Sequence, residues 1–520
     1  MRAVPVIGLA GLALLVVLAG CAAGPDFKRP DPPQAGGYTP GSQTGAFTPA
    51  AGVEQPAFNE TADIPADWWN LFRSEPLKLL VERALQQNPD IESAQAALSQ
   101  AQEYANAQRG NYFPTAGLAY MPSRNKIAGN TSSADPGPQG NGNFIGQPPP
   151  QPTYYNFHVA QLNVGYVPDV FGMNRRQTES AQALVAVRKF ELEAAHITLV
   201  SNVFAAAVQQ AVLLVQIAAM EKIVGSNQQQ LDIVNNQLRH GAVTGVEVAA
   251  QEAQLALARQ SLIPLRLLLG RNHDLLAALL GNTPDQPTLA TVDLATLHLP
   301  EKLPLSLPSR LVEQRPDVRA AEARLHYASA QSGVAIAGRL PQFNVTAAIG
   351  GMADSPAWMF RSGGAFFNLS ADISQILFDG GALRARSRAA KAALAQAAAD
   401  YRGAVVTALQ NVADTLYTLV ADAQSVKAAE DAEQAAATVL AISNKQFELG
   451  ALTYQALLAA QQAHEMSVIG LSQARAMRLI DTAALYQALG GGWWNRQDSA
   501  HSGQASALAA TPSQLQQAGQ

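Results

Sequence analysis

Gln237-Leu238-Arg239-His240-Gly241-Ala242-Val243-Thr244 returns 209 residues later (446 − 237) as Gln446-Phe447-Glu448-Leu449-Gly450-Ala451-Leu452-Thr453. The same offset links Gly172 to Gly381 and Leu280-Gly281 to Leu489-Gly490. Chance matches would not hold one offset over 109 residues (281 − 172), so about half the chain is an internal repeat. Upstream the offset is 227: Asn88-Pro89-Asp90 matches Arg315-Pro316-Asp317, and Pro114 matches Pro341. The two offsets differ by 18, and the extra residues belong between Pro114 and Gly172. Ser123 to Pro152, rich in Gly, Pro, Asn and Ser, is the expected inserted loop.

Both repeats read alike. A helix starts at Pro-Asp, where Pro suits the first turn and Asp the helix dipole, and stops before Pro114 or Pro341. Two strand-like segments follow. A long helix then begins near Gly172 or Gly381 and ends at Gly241 or Gly450, good C-terminal caps. Another helix returns, from about Val246 to Leu280 and from Tyr454 to Leu489. The stretch from Gly172 to His240 has no internal Pro and would be about 100 Å long as one helix. Such a rod must pack along other long helices. Ile197 to Met220 carries no charge and admits a transmembrane reading, but Ser201, Asn202, Gln209, Gln210 and Gln216 punctuate it. Its repeat partner contains Asp414, so a buried seam is the expectation.

In the second repeat Phe367, Leu369, Ala371 and Ile373 alternate with Asn368, Ser370, Asp372 and Ser374, and Phe343, Val345, Ala347 and Ile349 alternate with Asn344, Thr346 and Ala348. The first repeat is weaker, with Ala116, Leu118 and Tyr120, then His158, Ala160, Leu162, Val164 and Tyr166. One apolar and one polar face suit a sandwich, or a barrel with lipid outside and water inside. A bacterial membrane barrel of one chain starts at eight strands, and an open edge in lipid leaves backbone groups unsatisfied. If these four segments cross a membrane, several chains must share one barrel.

The chain has 520 residues, a net charge of −5 and 14% charged residues, which gives no electrostatic case for nucleic acid. Residues 1–20 read as a signal peptide, with Arg2 ahead of an apolar run from Val6 to Ala19. Leu18-Ala19-Gly20-Cys21 resembles the lipobox of bacterial lipoproteins, which implies a lipidated Cys21. The competing reading is an ordinary signal peptide with a chance Cys; Cys21 is the only cysteine and has no disulfide partner within the chain. Ala22 stands where an Asp would signal inner-membrane retention, which favours the outer membrane. Walker, His-Glu-x-x-His and Gly-x-Ser-x-Gly motifs are missing, so no catalytic residue, metal site or cofactor is expected. His196 and His326 read as packing or polar-face residues.

Several stretches resemble the TolC-like outer membrane efflux family, in particular the NodT-type lipoprotein branch that serves resistance-nodulation-division pumps. These are Cys21-Ala22-Ala23-Gly24-Pro25-Asp26-Phe27-Lys28-Arg29-Pro30, Trp68-Trp69-Asn70-Leu71-Phe72 before Pro76-Leu77, Phe378-Asp379-Gly380-Gly381, and Leu485-Tyr486-Gln487-Ala488-Leu489-Gly490-Gly491-Gly492-Trp493. The resemblance implies a mainly α protein with a membrane β-barrel. Three protomers would share a twelve-stranded barrel continued by a twelve-helix periplasmic tunnel. It also implies a passive exit duct of a tripartite pump, with a periplasmic adaptor and an inner-membrane pump as partners. Residues 21–75 would form a lipidated extended segment, 76–300 the first repeat, 301–495 the second, and 496–520 a disordered tail. Adaptor contact would fall on Gly241, Ala242, Val243, Thr244, Gly450, Ala451, Leu452 and Thr453. A periplasmic gate would fall on Tyr454, Gln455, Leu458, Ala459 and Gln462. Relatives commonly carry Asp and Arg where this chain has Ala459 and Gln462, so packing and neutral hydrogen bonds would replace a charged lock. Two other classes compete. A poreless, periplasm-spanning coiled-coil lipoprotein would show heptads rather than alternating strands. An enzyme in the long first-repeat loop is opposed by its Gly- and Pro-rich composition.

Overall fold

The computed structural model describes residues 23–31, 37–38, 57–59, 62–127, 153–286 and 290–496. The signal segment, Cys21, most of the expected loop and the tail beyond Arg496 lie outside the described residues.

The duplication governs the element list. Helices α1 (Glu75–Gln87) and α2 (Pro89–Gly110) precede strands β2 (Thr115–Ile127) and β3 (Thr153–Tyr166), after a short β1 (Ala57–Asn59). Helices α3 (Met173–Arg239) and α4 (Gly245–Leu279) close the first repeat. The second repeat has β4 (Lys302–Pro304), α5 (Pro308–Gln314), α6 (Pro316–Ala337), β5 (Gln342–Ala353), β6 (Ala365–Ser374), α7 (Ala382–Glu448) and α8 (Tyr454–Ala488). The long helices have 67 residues each and the returning helices 35 each, so the 209-residue offset holds to both ends of these four helices.

One boundary differs from the sequence expectation. Ser123 does not open a loop; it belongs to β2, which runs on to Ile127 in register with Thr153. The physical reason is cross-strand contact. The Ser123 hydroxyl donates to the Phe157 carbonyl at 3.2 Å, and Lys126 sits 5.4 Å from the Tyr154 ring centre. Within the expected extended segment 21–75, Ala57–Asn59 pairs in parallel with β4, and Trp68–Phe72 forms a 3-10 turn.

The chain divides into two compact units. One takes, among the described residues, Ala23–Lys28, Gln100–Val185 and Arg324–Ala398, and so contains the sheet. It is an antiparallel meander of order β2-β3-β5-β6. Register places Leu118, Leu162, Ile349 and Phe367 side by side on one face, and Gly117, Asn163, Ala348 and Asn368 on the other.

The other unit takes, among the described residues, those of Arg29–Ser99, Ala186–Ala323 and Ala399–Arg496. Its core holds Trp68, stacked on Tyr486 at 5.2 Å, with Phe72 4.5 Å from Phe204. Phe204 belongs to the charge-free stretch of α3. This helix carries an 18-residue run apolar enough to cross a membrane, yet 61% of that run is buried within the protein, and Val203, Phe204 and Ala207 are fully enclosed. It is a packed seam, held by neighbouring helices rather than lipid.

Candidate functional site

Two features with no role inside one folded chain stand out: an apolar sheet face and a pair of exposed helix turns. On the sheet, Leu118 and Phe367 are each 84% exposed, Leu369 72%, and Ile349 61%. A water-facing sheet would carry polar residues there. The strands are 10 to 14 residues long, enough for a tilted membrane strand of about 10 residues. The opposite face is polar: Thr346 and Ser370 hydroxyls meet at 2.7 Å, and Asn344 donates to Asp372 at 3.2 Å. Within the described residues β2 and β6 are sheet edges.

The turns are built alike. Gly241 and Gly450 have φ of 73° and 71°, the left-handed conformation that favours glycine. At each, two backbone bonds satisfy the last carbonyls: Gly241 and Ala242 donate to Leu238 and Gln237, and Gly450 and Ala451 to Phe447 and Gln446. Thr244 and Thr453 then cap the returning helices through their hydroxyls. No atom lies within 4 Å of the Cβ position at either Gly, so the turns stand open to a partner. One difference between them changes the cap. Glu247 accepts from the Thr244 backbone N–H at 2.9 Å and completes a capping box, and the Thr244 hydroxyl holds its carboxyl below the usual range. Its repeat partner is Ala456 (456 − 247 = 209).

The first turns of α8 divide into an inward and an outward set. Leu458 is 3% exposed, whereas Gln455 and Ala459 are exposed and Gln462 is half-buried. Tyr454 packs on Phe447 with ring centres 5.4 Å apart and donates to the Gln229 side chain at 2.9 Å. Three partners in α3 were not singled out in the sequence: Gln229; Ser226, which reaches Gln461 at 3.4 Å; and Lys222, paired with Glu465 at 3.1 Å. They recur every three or four residues along α3, a signal visible only once α8 is known to lie beside it.

A third feature anchors the chain's start. Arg176, 3% exposed, donates through Nε to the Ala23 carbonyl at 3.2 Å and pairs with Asp26 and Glu179 at 2.7 Å each. The Ala23 N–H donates to the Phe171 carbonyl at 2.9 Å. Gly24 and Gly333 approach so closely that a Cβ on Gly24 would lie 2.6 Å from Gly333 Cα. His326 bonds Glu179 at 2.9 Å and stacks on Phe27 at 4.3 Å; His196 lies beside Glu193 at 3.7 Å. The Arg176 guanidinium lowers the Asp26 pKa; burial opposes the same shift at Glu179, but hydrogen bonds from Arg176 and His326 prevail. Sequence reading missed Arg176. The one hint is that its repeat partner is Ala385 (385 − 176 = 209).

A duplicated long-hairpin protein with a four-stranded, lipid-suited sheet belongs to the class of outer-membrane channels. Its sequence matches the family model for outer membrane efflux proteins over residues 80–282 and 307–491. The chain therefore belongs to the outer membrane efflux protein family, and its place is the outer membrane. It is 27% identical over 458 residues to the pyoverdine export outer membrane protein OpmQ of Pseudomonas putida, covering 88% of this chain and 94% of that one. With the outer membrane protein OprJ of Pseudomonas aeruginosa it shares 25% over 500 residues, covering 94% and 96%. The crystal structure of the Campylobacter jejuni CmeC outer membrane channel matches its fold with a TM-score of 0.79 at 19% identity, over 93% and 98% of the two chains.

Proposed function

We propose that three copies of this chain close one twelve-stranded barrel, continued by twelve helices as a periplasmic tunnel, and passively conduct cargo delivered by an adaptor and an inner-membrane pump. The observation that carries the reading is the apolar sheet face ending in two edges. In lipid an unpaired edge leaves N–H and C=O groups without partners, at a cost of several kcal/mol per group. Pairing β2 of one copy with β6 of the next removes every edge. The number three rests on family membership, since four strands per chain set only the requirement for several copies. No catalytic step is assigned; the energy comes from the pump.

In this reading the turns at Gly241–Thr244 and Gly450–Thr453 meet the adaptor, and Tyr454, Gln455, Leu458, Ala459 and Gln462 line the periplasmic constriction. Cys21 carries lipid and begins the mature chain. The Arg176 clamp supports this, because it holds Ala23, two residues on, against the junction of β3 and α3.

Planar-bilayer recording of the purified protein is the test. Stable single-channel steps are expected; a membrane-bound protein that never conducts would reject the duct. Mass spectrometry of the membrane-extracted chain should find diacylglycerol on Cys21, and an unmodified N-terminus elsewhere would reject lipidation. Cys21→Ser exported behind a cleavable signal peptide should keep part of its efflux activity, since an acyl chain holds weakly beside an inserted barrel.

A further inference from the structure

We propose that a cavity between the end of α2 and the start of α3 binds the phosphate headgroup of an anionic phospholipid. The cavity measures about 700 Å³. Arg109 and Arg175 line it, both exposed, and among the described residues neither guanidinium lies within 4 Å of a carboxylate. The third arginine there, Arg176, is already neutralised by Asp26 and Glu179. The five charges of the lining leave one positive charge in excess; Arg109 donates to the Asn106 side-chain oxygen at 3.4 Å, a neutral contact that leaves its charge unpaired. Thr178 is also among the residues that line the cavity. It is 6% exposed, and its hydroxyl meets no hydrogen-bond partner. A buried hydroxyl without a partner costs free energy and invites an acceptor. Two arginines beside a hydroxyl are the donor set that phosphate oxygens take.

The same wall carries the argument for a lipid rather than a free ion. Tyr112 and Phe113 flank the arginines, and Phe113 is 70% exposed. They stand three and two residues before β2 begins at Thr115. Given the outer-membrane reading on which this inference rests, that is where the barrel leaves the membrane. Aromatic rings at that level lie among headgroups and acyl ends, and basic pockets beside them hold lipid phosphates. A free phosphate ion would have no use for Phe113. The second repeat supplies an internal contrast. Arg384 matches Arg175 (384 − 175 = 209), but Ile336 stands where the first repeat has Arg109 (336 − 109 = 227), so no arginine pair forms there.

The test uses the full-length protein, delipidated in detergent, with binding followed by native mass spectrometry. Phosphatidylglycerol is titrated against phosphatidylcholine of the same chains, and inorganic phosphate is titrated alone. Saturable preference for phosphatidylglycerol is expected. The double variant Arg109→Gln/Arg175→Gln should weaken that binding roughly thirtyfold, and Arg384→Gln should leave it unchanged. Thr178→Val tests the buried hydroxyl and should weaken binding by a smaller factor. Equal binding by wild type and the double variant would overturn the proposal. An equal loss with Arg384→Gln would overturn it too, as diffuse charge attraction. Inorganic phosphate binding as tightly as the lipid would overturn the lipid assignment. Bilayer conductance of the same preparation separates failure of this site from failure of the channel reading.

Discussion

The two helical hairpins match in length but differ in what they bury. In the α3–α4 hairpin Leu213 is enclosed, and Asn272 donates to the Ala206 carbonyl at 2.9 Å, a satisfied polar contact between packed helices. The matching positions of the α7–α8 hairpin, 209 residues on, are Asp422 and Asp481. Asp422 is 9% exposed, and its Oδ2 meets no partner. Burial first, then the neighbouring Asp481 carboxyl, pushes the Asp422 pKa up to about 7, while Arg478 pulls it down. One backbone plan thus carries a neutral seam in the first repeat and an acidic, proton-holding seam in the second. The lesson is that duplication preserves helix length and packing, which the tunnel needs equally from both hairpins, while individual buried contacts drift apart.

The largest effect is expected at the turns, which the two hairpins share. Gly241→Asp and Gly450→Asp each force a side chain into left-handed backbone, at a cost of about 1 kcal/mol, and put a charge on an open tip. The proposed three-copy assembly should still form, and efflux, read as antibiotic or dye accumulation in whole cells, should be lost. Normal pumping by an assembled variant would show that the adaptor binds elsewhere. Loss in only one of the two would show that the hairpins are not equivalent docking sites.

The buried seam comes next. The Asp422 pKa is raised in the folded state, so the protein holds a proton that the unfolded chain releases. The stability this contributes is fully present below about pH 4 and is lost as pH rises through about 7. Thermal melting should therefore fall between pH 5 and 8. Asp422→Leu, which installs the first-repeat residue, should raise the melting temperature at pH 8 by a few degrees and flatten that slope. An unchanged slope would mean that Asp422 is not the source of the pH dependence.

A smaller effect is expected at the first turns of α8. Ala459 and Gln455 are exposed beside the buried Leu458, and Glu247 is committed to its cap. Ala459→Asp would set one carboxylate per protomer around a narrow pore, where the field attracts cations. Single-channel conductance should become sensitive to divalent cations added on the periplasmic side. If the native channel is already blocked by them, another acidic ring supplies the charge; Glu252 is then the next residue to neutralise, ahead of Asp481, about 33 Å along α8 from Ala459.

Much of the architecture was legible in the chain itself. The repeat offsets located all four long helices, because the Gly residues that bound them are local signals that do not depend on what packs nearby. Alternation located the strands. It failed at Ser123–Ile127, where polar residues continue a strand: pairing with Thr153–Phe157 outweighed a loop-like composition. Hydrophobicity alone does not separate lipid from a protein core in the apolar stretch of α3; its polar interruptions and Asp414 in the repeat partner pointed to a buried seam, and the Trp68 and Phe72 rings, more than a hundred residues earlier, are what it packs against.

The sequence alone determined the duplication, the helix lengths, the capped turns and the two-faced strands. Each follows from periodicity or backbone preference within a few residues. Tertiary structure alone decided that Arg176 clamps Ala23 and Asp26, that Tyr454 reaches Gln229, and that Asp422 is buried beside Asp481. Those contacts join residues roughly 60 to 225 positions apart. A charge or an amide carries no mark of its partner until folding brings the two within hydrogen-bond distance.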